Sequence, residues 1–401
     1  MSAPAPIRPS ERSFAPDLAR GAMLLFIAIA NVPGYFYGRT FTDIGLMADA
    51  SLLDRWVEAA ELIFITDRSR PMFAVLYGFG IAIMVDRALK RSVPKRRIAG
   101  LLTKRGLWLI VFGVIHAALL WEGDILASYG ITGLLALTFV FLRDRWVIVA
   151  GAVSMAWLTL ALGFMAARGV YLNEDWGQFI STGTIPGRDY LTTMGDGIYT
   201  SFLLMGLSVA GLAYVPLVAV GVMMLRRGWL ENPGAHVRGL RWTAGVGISV
   251  AAVAGLPLAV MTFGWWDPGP GVASALHAVT ILAGMLGGCG YVALFALIAH
   301  SWQSRRAARG LEGLGALSVF SHVGQRSLTS YLAQSVIFAP VLSAWGLGLA
   351  DGMGYGVGFG VAVLGWALTL VLAWLMARAG SRGPFETLLR RLIYGRRHSR
   401  T

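Results

Sequence analysis

Along this chain the apolar residues fall in long uncharged blocks, each closed by a short polar or charged cluster. A helix needs about 20 apolar residues to cross the hydrocarbon of a bilayer. The blocks predict helices near 19–38, 71–89, 106–121, 124–142, 146–167, 198–226, 242–263, 272–299, 328–350 and 355–377. The sixth is long enough to tilt, and Pro216 inside it predicts a kink. Two further segments are apolar but too mixed to span. Residues 52–65 place Asp54, Arg55, Glu58 and Glu61 on a helical pattern, which predicts a helix in the outer interface. Residues 310–323 read the same way on the other side. The expected fold is all-α: a polytopic membrane helix bundle of about ten transmembrane helices with short interfacial helices. Residues 1–16 read as a flexible cytoplasmic tail, 17–395 as a single transmembrane helical domain and 396–401 as a basic cytoplasmic tail. The first apolar run is long, contains Asn31 and Pro33, and lacks a small-residue cleavage site after it, so it is expected to be retained.

Composition agrees. Of the 401 residues, 56% are hydrophobic and 14% charged, with mean hydropathy +0.64, against about 25% charged in soluble domains. The net charge of +13 does not point to nucleic acid, because the cations sit in short connections between apolar blocks. They report orientation instead, since Lys and Arg collect on the cytoplasmic side. With the N-terminus inside and strict alternation, 28 of the 34 Lys and Arg fall inside and 6 outside; acidic residues divide 7 inside and 14 outside. One helix more or fewer would scramble this pattern. The expectation is therefore N-in and C-in. The single cysteine, Cys289, rules out an intramolecular disulfide and a cysteine-based metal site, and no metal is expected.

Polar side chains within apolar blocks need a reason. His116 precedes Trp121 by five residues, so it lies about 7–8 Å below the end of its helix. Gly123 supplies a tight turn, Asp124 starts the partner helix and Tyr129 lies five residues further along. One reading is a His–Asp pair at the floor of an outward-facing cleft, with the carboxylate fixing the tautomer of a proton-transferring histidine. The other is a capped hairpin with one satisfied buried histidine, Asp124 being only an N-cap. Asn31 either lines the same cleft or bonds a neighbouring helix, and Gln334 divides the same way. Arg20 either grips an anionic cofactor or anchors the helix end as a topology signal. Ser327 reads as the N-cap of the ninth helix. Gly78-Phe79-Gly80 reads as a packing face rather than a nucleotide loop, and His277 as interfacial.

Five stretches together resemble the YeiB family, whose conserved part is domain of unknown function 418. They are Arg20-Gly21-Ala22-Met23-Leu24-Leu25 leading to Asn31; Met72-Phe73-Ala74-Val75-Leu76-Tyr77-Gly78-Phe79-Gly80; residues 113–133, containing His116 and Trp121-Glu122-Gly123-Asp124-Ile125-Leu126; residues 324–335; and Gly383-Pro384-Phe385-Glu386 with Arg390 and Arg391. They span nearly the whole chain, and the hairpin at Gly123-Asp124-Ile125-Leu126 is the most specific. The chain departs from the family at Gln325, where arginine is frequent, and at Ser330, where asparagine is frequent. The resemblance implies a multi-pass protein of the bacterial cytoplasmic (inner) membrane. The family is similar, more distantly, to transmembrane acyltransferases.

That likeness suggests an enzyme passing an acyl group from a cytoplasmic donor, such as acyl-CoA, to a hydroxyl or amine of an extracytoplasmic envelope glycan or lipid. His116 would be the base, oriented by Asp124. Asn31, Tyr129 and Gln334 would face the substrate, and Arg20 and the basic connector 87–105 the donor phosphates. Two rivals stand beside it: a transporter or lipid-handling protein, whose polar groups line a path, and a non-catalytic membrane partner. Membrane lipids are expected partners in every case and nucleic acid in none. Oligomeric state is open.

Overall fold

The computed structural model describes residues 14–42, 45–174, 189–311 and 314–395. Fourteen α-helices follow one another, and no strand forms among the described residues. They are α1 Phe14–Asn31, α2 Leu52–Phe64, α3 Ser69–Lys90, α4 Lys95–Leu119, α5 Leu126–Ala136, α6 Asp144–Leu172 and α7 Tyr190–Gly211. The second half comprises α8 Val215–Arg226, α9 Val237–Thr262, α10 Pro270–Ala308, α11 Ser318–Gln325, α12 Ser327–Leu342, α13 Tyr355–Arg378 and α14 Pro384–Tyr394. Among the described residues, seven helical runs are long and apolar enough to cross a membrane, eight if the bent pair α7–α8 is one span. The chain is an all-α, multi-pass membrane protein.

Each of the ten apolar blocks contains helix, but α5 and α12 are only 11 and 16 residues long. At about 1.5 Å per residue they fall short of a bilayer core. The kink expected at Pro216 lies slightly upstream. Leu212 takes a left-handed conformation (φ 49°), and α7 and α8 meet at 68°. Pro216 instead occupies the first turn of α8, where its missing N–H removes no helical bond.

The bundle has an inside and an outside in the lateral sense. In α1, 72% of the most apolar stretch is buried, against 17% in α6. The outer helices present Trp157, Leu160 and Phe164 of α6 to their surroundings, as lipid requires. α1 begins at Phe14, earlier than the apolar block suggests, because Phe14, Ala15 and Pro16 are already buried. Gly324 of α11 abuts the Asp17 backbone with no room for a Cβ. The remainder of the expected N-terminal tail and the tail 396–401 lie outside the described residues. Gly78 of α3 and Gly221 of α8 let the two backbones meet: a Cβ on either would strike the Val218 or Val75 carbonyl oxygen.

Helix α2 turns its apolar side outward. Leu52, Leu53, Trp56 and Phe64 are exposed, whereas Asp54, Glu58 and Glu61 are buried, where α2 packs on α9 and α13. Asp54 closes a capping box with Ser51 and accepts from the Gly356 N–H at 2.8 Å, stapling α2 to the start of α13.

The N-cap expected at Ser327 is not formed by that residue. Ser327 is the first residue inside α12 and makes no cap bond. The Glu386 carboxylate of α14 takes over: its Oε1 accepts from the N–H groups of Leu328 and Thr329 at 2.8 and 3.0 Å, and its Oε2 from the Thr329 hydroxyl at 2.5 Å. A carboxylate answers the orphan donors and positive end of a helix better than a hydroxyl.

Candidate functional site

The α4–α5 hairpin forms at the end of α4 opposite its basic start at Lys95. α4 and α5 can approach because Gly113 has no Cβ to strike Asp124 and Ala127. Within the hairpin, His116 Nδ1 lies 2.8 Å from Asp124 Oδ1, both side chains being almost wholly buried. Asp124 Oδ2 accepts from the Ala127 N–H at 2.9 Å. The carboxylate thus does both things the sequence left open, capping α5 and gripping the histidine. Tyr331 of α12 completes the group: its hydroxyl is 3.4 Å from Asp124 Oδ1 and its ring centroid 5.2 Å from that of His116. His116 Nε2 is buried with no hydrogen-bond partner among the described residues. An unpaired buried polar atom is rare in a native fold and calls for a cause. Trp121 Nε1 and Ser330 Oγ are in the same condition.

One helical turn before Tyr331, a polar cavity of about 310 Å³ opens among α1, α3, α4, the end of α11 and the start of α12. Arg20, Tyr77, Arg105, Gln325 and Ser327 line it, with Phe73 and Asp17. Arg20 donates to the Leu76 carbonyl at 3.2 Å and pairs with Asp17 at 3.4 Å. The Arg105 guanidinium sits 5.4 Å over the Tyr77 ring, and its Nε is buried without a hydrogen bond. From Ser327 to Tyr331 is four residues, about 6 Å along a helix. Phe73 and Tyr77, which line the cavity, lie against Tyr129 at centroid distances of 4.4 and 5.6 Å.

Comparison with known proteins gives a consistent answer. The family model described as "Protein of unknown function (DUF418)" matches residues 224–396. The chain is 25% identical to uncharacterized protein YxaH of Bacillus subtilis, over 98% of this chain and 97% of that protein. It is 23% identical to uncharacterized protein YeiB of Escherichia coli, over 95% and 96% of the two chains. The chain is thus similar to the YeiB and DUF418 proteins, to YxaH and YeiB over nearly its whole length. The segment matching the DUF418 model contributes Tyr331, Gln325 and the Glu386 cap, whereas His116, Asp124 and Arg20 come from the part before it.

The remaining sequence candidates are placed less centrally. Tyr129 is buried and donates to the Arg70 carbonyl at 2.6 Å rather than to the histidine. Gln334 donates to the Leu24 carbonyl at 3.1 Å, the interhelical bond that was one of its two readings. Asn31 ends α1, half-buried, and no hydrogen bond joins it to the pair among the described residues. The next turn does reach the hairpin: Tyr35 packs its ring on Trp121 at 4.3 Å. Tyr331 is the residue to which sequence reasoning gave no role in the site, and Arg105 was included only as the end of the basic connector. Both stood within segments already singled out. Only the meeting of α12 with the hairpin, and of α4 with α1, makes them neighbours of the site.

Proposed function

We propose that this protein is a transmembrane acyltransferase that carries an acyl group from a thioester donor, such as acyl-CoA, to an envelope glycan or lipid on the far side of the bacterial cytoplasmic membrane. The observation that carries the reading is the buried pair with its free nitrogen. An ionised Asp124 only accepts hydrogen bonds, so it holds the proton on Nδ1 and leaves a lone pair on Nε2. That is the state of a general base. Nε2 takes the proton of the acceptor hydroxyl or amine as its oxygen or nitrogen attacks the acyl carbonyl. The proton then passes to the departing thiolate. The Tyr331 hydroxyl beside Asp124 is placed to restrain the carboxylate.

The Arg20 and Arg105 cavity supports a donor entering from the basic end, where two guanidinium groups suit phosphate oxygens. Ser327 of its lining lies one helical turn from Tyr331, which supports an acyl arm approaching the histidine from this side. Orientation with the N-terminus inside puts this cavity on the cytoplasmic side, consistent with the positive-inside distribution. The transporter reading has one observation of its own: the buried carboxylates Glu58 and Glu61 in a helix whose apolar side is exposed.

The test uses membranes holding the full chain and a donor labelled in its acyl group. His116→Ala is expected to lower label transfer by about 10²–10⁴-fold, the usual share of a general base, with normal accumulation of the protein. Arg20→Gln together with Arg105→Gln is expected to raise the donor KM with little change in kcat. Undiminished transfer by an abundant His116→Ala protein overturns the reading. Label crossing the membrane without forming a new covalent acyl product selects the transporter.

A further inference from the structure

A second cavity, of about 540 Å³, lies between α6, α8, α9 and α10 and shares no residue with the Arg20 cavity or the hairpin. It opens on the outer surface of the bundle, where Ile148 and Leu286 are exposed. Met155, Met223, Met224 and Met285 line it with Ala219 and Cys289. Four unbranched, polarizable side chains make a wall that fits a flexible hydrocarbon rather than one rigid shape. Apart from Thr243, the lining is apolar until it reaches Arg227 and Trp229, which stand at the turn closing α8.

The two arginines of that turn differ. Arg226 is fully engaged, with Asp144 Oδ1 at 2.8 Å and the carbonyls of Leu142 and Val140 at 2.9 and 2.8 Å. Arg227 is exposed, and its guanidinium has no hydrogen bond or ion pair among the described residues. It also borders a neighbouring cavity lined by Asp86, Lys90 and Glu231, which places it at the end of the bundle where α3 closes. Asp86 is already paired with Lys90 at 2.8 Å. A long apolar cleft ending in one free guanidinium and an indole is complementary to an anion with a hydrocarbon tail.

We propose that this cleft is a binding site for one anionic phospholipid of the leaflet facing the basic end. One acyl chain lies along the methionines, the phosphate meets Arg227, and the Trp229 ring sits at headgroup level, the depth where indoles concentrate. Hydrocarbon against apolar protein gives no preference over ordinary surrounding lipid. Selectivity therefore comes from the charge-assisted contact to Arg227. The site is independent of the acyl-transfer reading and does not rest on it.

The experiment is native mass spectrometry of the full chain, delipidated in detergent and titrated with phosphatidylglycerol, phosphatidylcholine of identical chains, or glycerol phosphate. One phosphatidylglycerol is expected to bind about tenfold tighter than phosphatidylcholine, the equivalent of one charge-assisted hydrogen bond. Arg227→Gln, which breaks no contact of the folded chain, removes that preference and leaves phosphatidylcholine binding unchanged. Ala152→Trp, an exposed residue of the cleft wall, lowers phosphatidylglycerol occupancy at unchanged helix content. Equal retention of the two lipids, or a preference that survives Arg227→Gln, overturns the proposal. So does glycerol phosphate binding as tightly as the lipid, which would make Arg227 a simple anion contact.

Discussion

Asp124 has two oxygens and two tasks, and substitutions can separate them. Asp124→Asn keeps an oxygen for the Ala127 N–H, but the amide no longer enforces a proton on His116 Nδ1. The expected outcome is a melting temperature near that of the parent with acyl transfer reduced on the order of 10²-fold or more. Asp124→Ala loses the cap as well, at about 0.5–2 kcal/mol, so it is expected to melt lower in the same assay. Equal transfer by the Asn variant and the parent would leave Asp124 a capping residue only. His322 of α11 offers a different measurement. Burial, and then the positive charge of Arg326, hold its imidazole below the usual pKa. The unfolded chain therefore takes the proton first. The neutral state's stability is present in full above about pH 6.5 and is lost as pH falls towards the lowered folded value. Melting of the parent in detergent is expected to drop between pH 7 and pH 5.5 more steeply than that of His322→Gln. At this scale the sequence exposed the histidine–carboxylate spacing, since both residues belong to one hairpin. It did not expose Tyr331, which lies more than 200 positions away in the chain, because no local pattern encodes that contact.

Helices here meet through small residues more than through large ones, as packing in lipid favours. The α3–α8 contact is the clearest example. A side chain at Gly78 would strike the Val218 carbonyl oxygen, whereas Gly163, on the exposed side of α6, has nothing within 4 Å. Gly78→Leu is expected to cost on the order of 1–3 kcal/mol through overpacking. Gly163→Ala is expected to be neutral or to gain up to about 1 kcal/mol of helix propensity. Urea-dependent or thermal unfolding in detergent compares the two, and a Gly78→Leu protein as stable as Gly163→Ala would remove close packing as the reason for that glycine. Element existence was legible from the apolar blocks, since each is bounded by charge. Element ends were not. α12 stops at Leu342 because the chain folds back on it, the N–H groups of Leu347, Leu349 and Ala350 taking the carbonyls of Pro340, Val341 and Leu342. After Ala136 of α5 the chain passes into turns, with the Thr138 hydroxyl on the Leu135 carbonyl. The acidic side of α2 was visible as a spacing, but its direction was not, because an amphipathic pattern names two faces without saying which one the bundle takes.

For the whole molecule, the decisive question is which end faces which compartment. Single cysteines, introduced with Cys289 replaced, at Glu122 in the hairpin and at Arg97 beyond the start of α4 are expected to react with an impermeant maleimide from opposite sides of the membrane. Labelling of both from one side would undo the orientation on which donor access to the Arg20 cavity depends. The same antiparallel path explains the two separate cavities: α1, α3 and α4 enclose a polar one around Arg20, while the outer helices α6, α8, α9 and α10 leave an apolar one open to lipid. Sequence alone determined that this is an all-helical membrane protein with its cations gathered on alternate connections, since hydrocarbon excludes charge and unpaired backbone wherever they occur. It also singled out His116 and Asp124, which share a hairpin and so are joined by local geometry. Tertiary structure alone decided that Tyr331 reaches that pair, that Arg20 and Arg105 share a cavity one turn away, and that Asn31, Tyr129 and Gln334 make no bond to the histidine. Those outcomes depend on how helices far apart in the chain rotate and dock, and each rotation is set by the packing of the whole bundle.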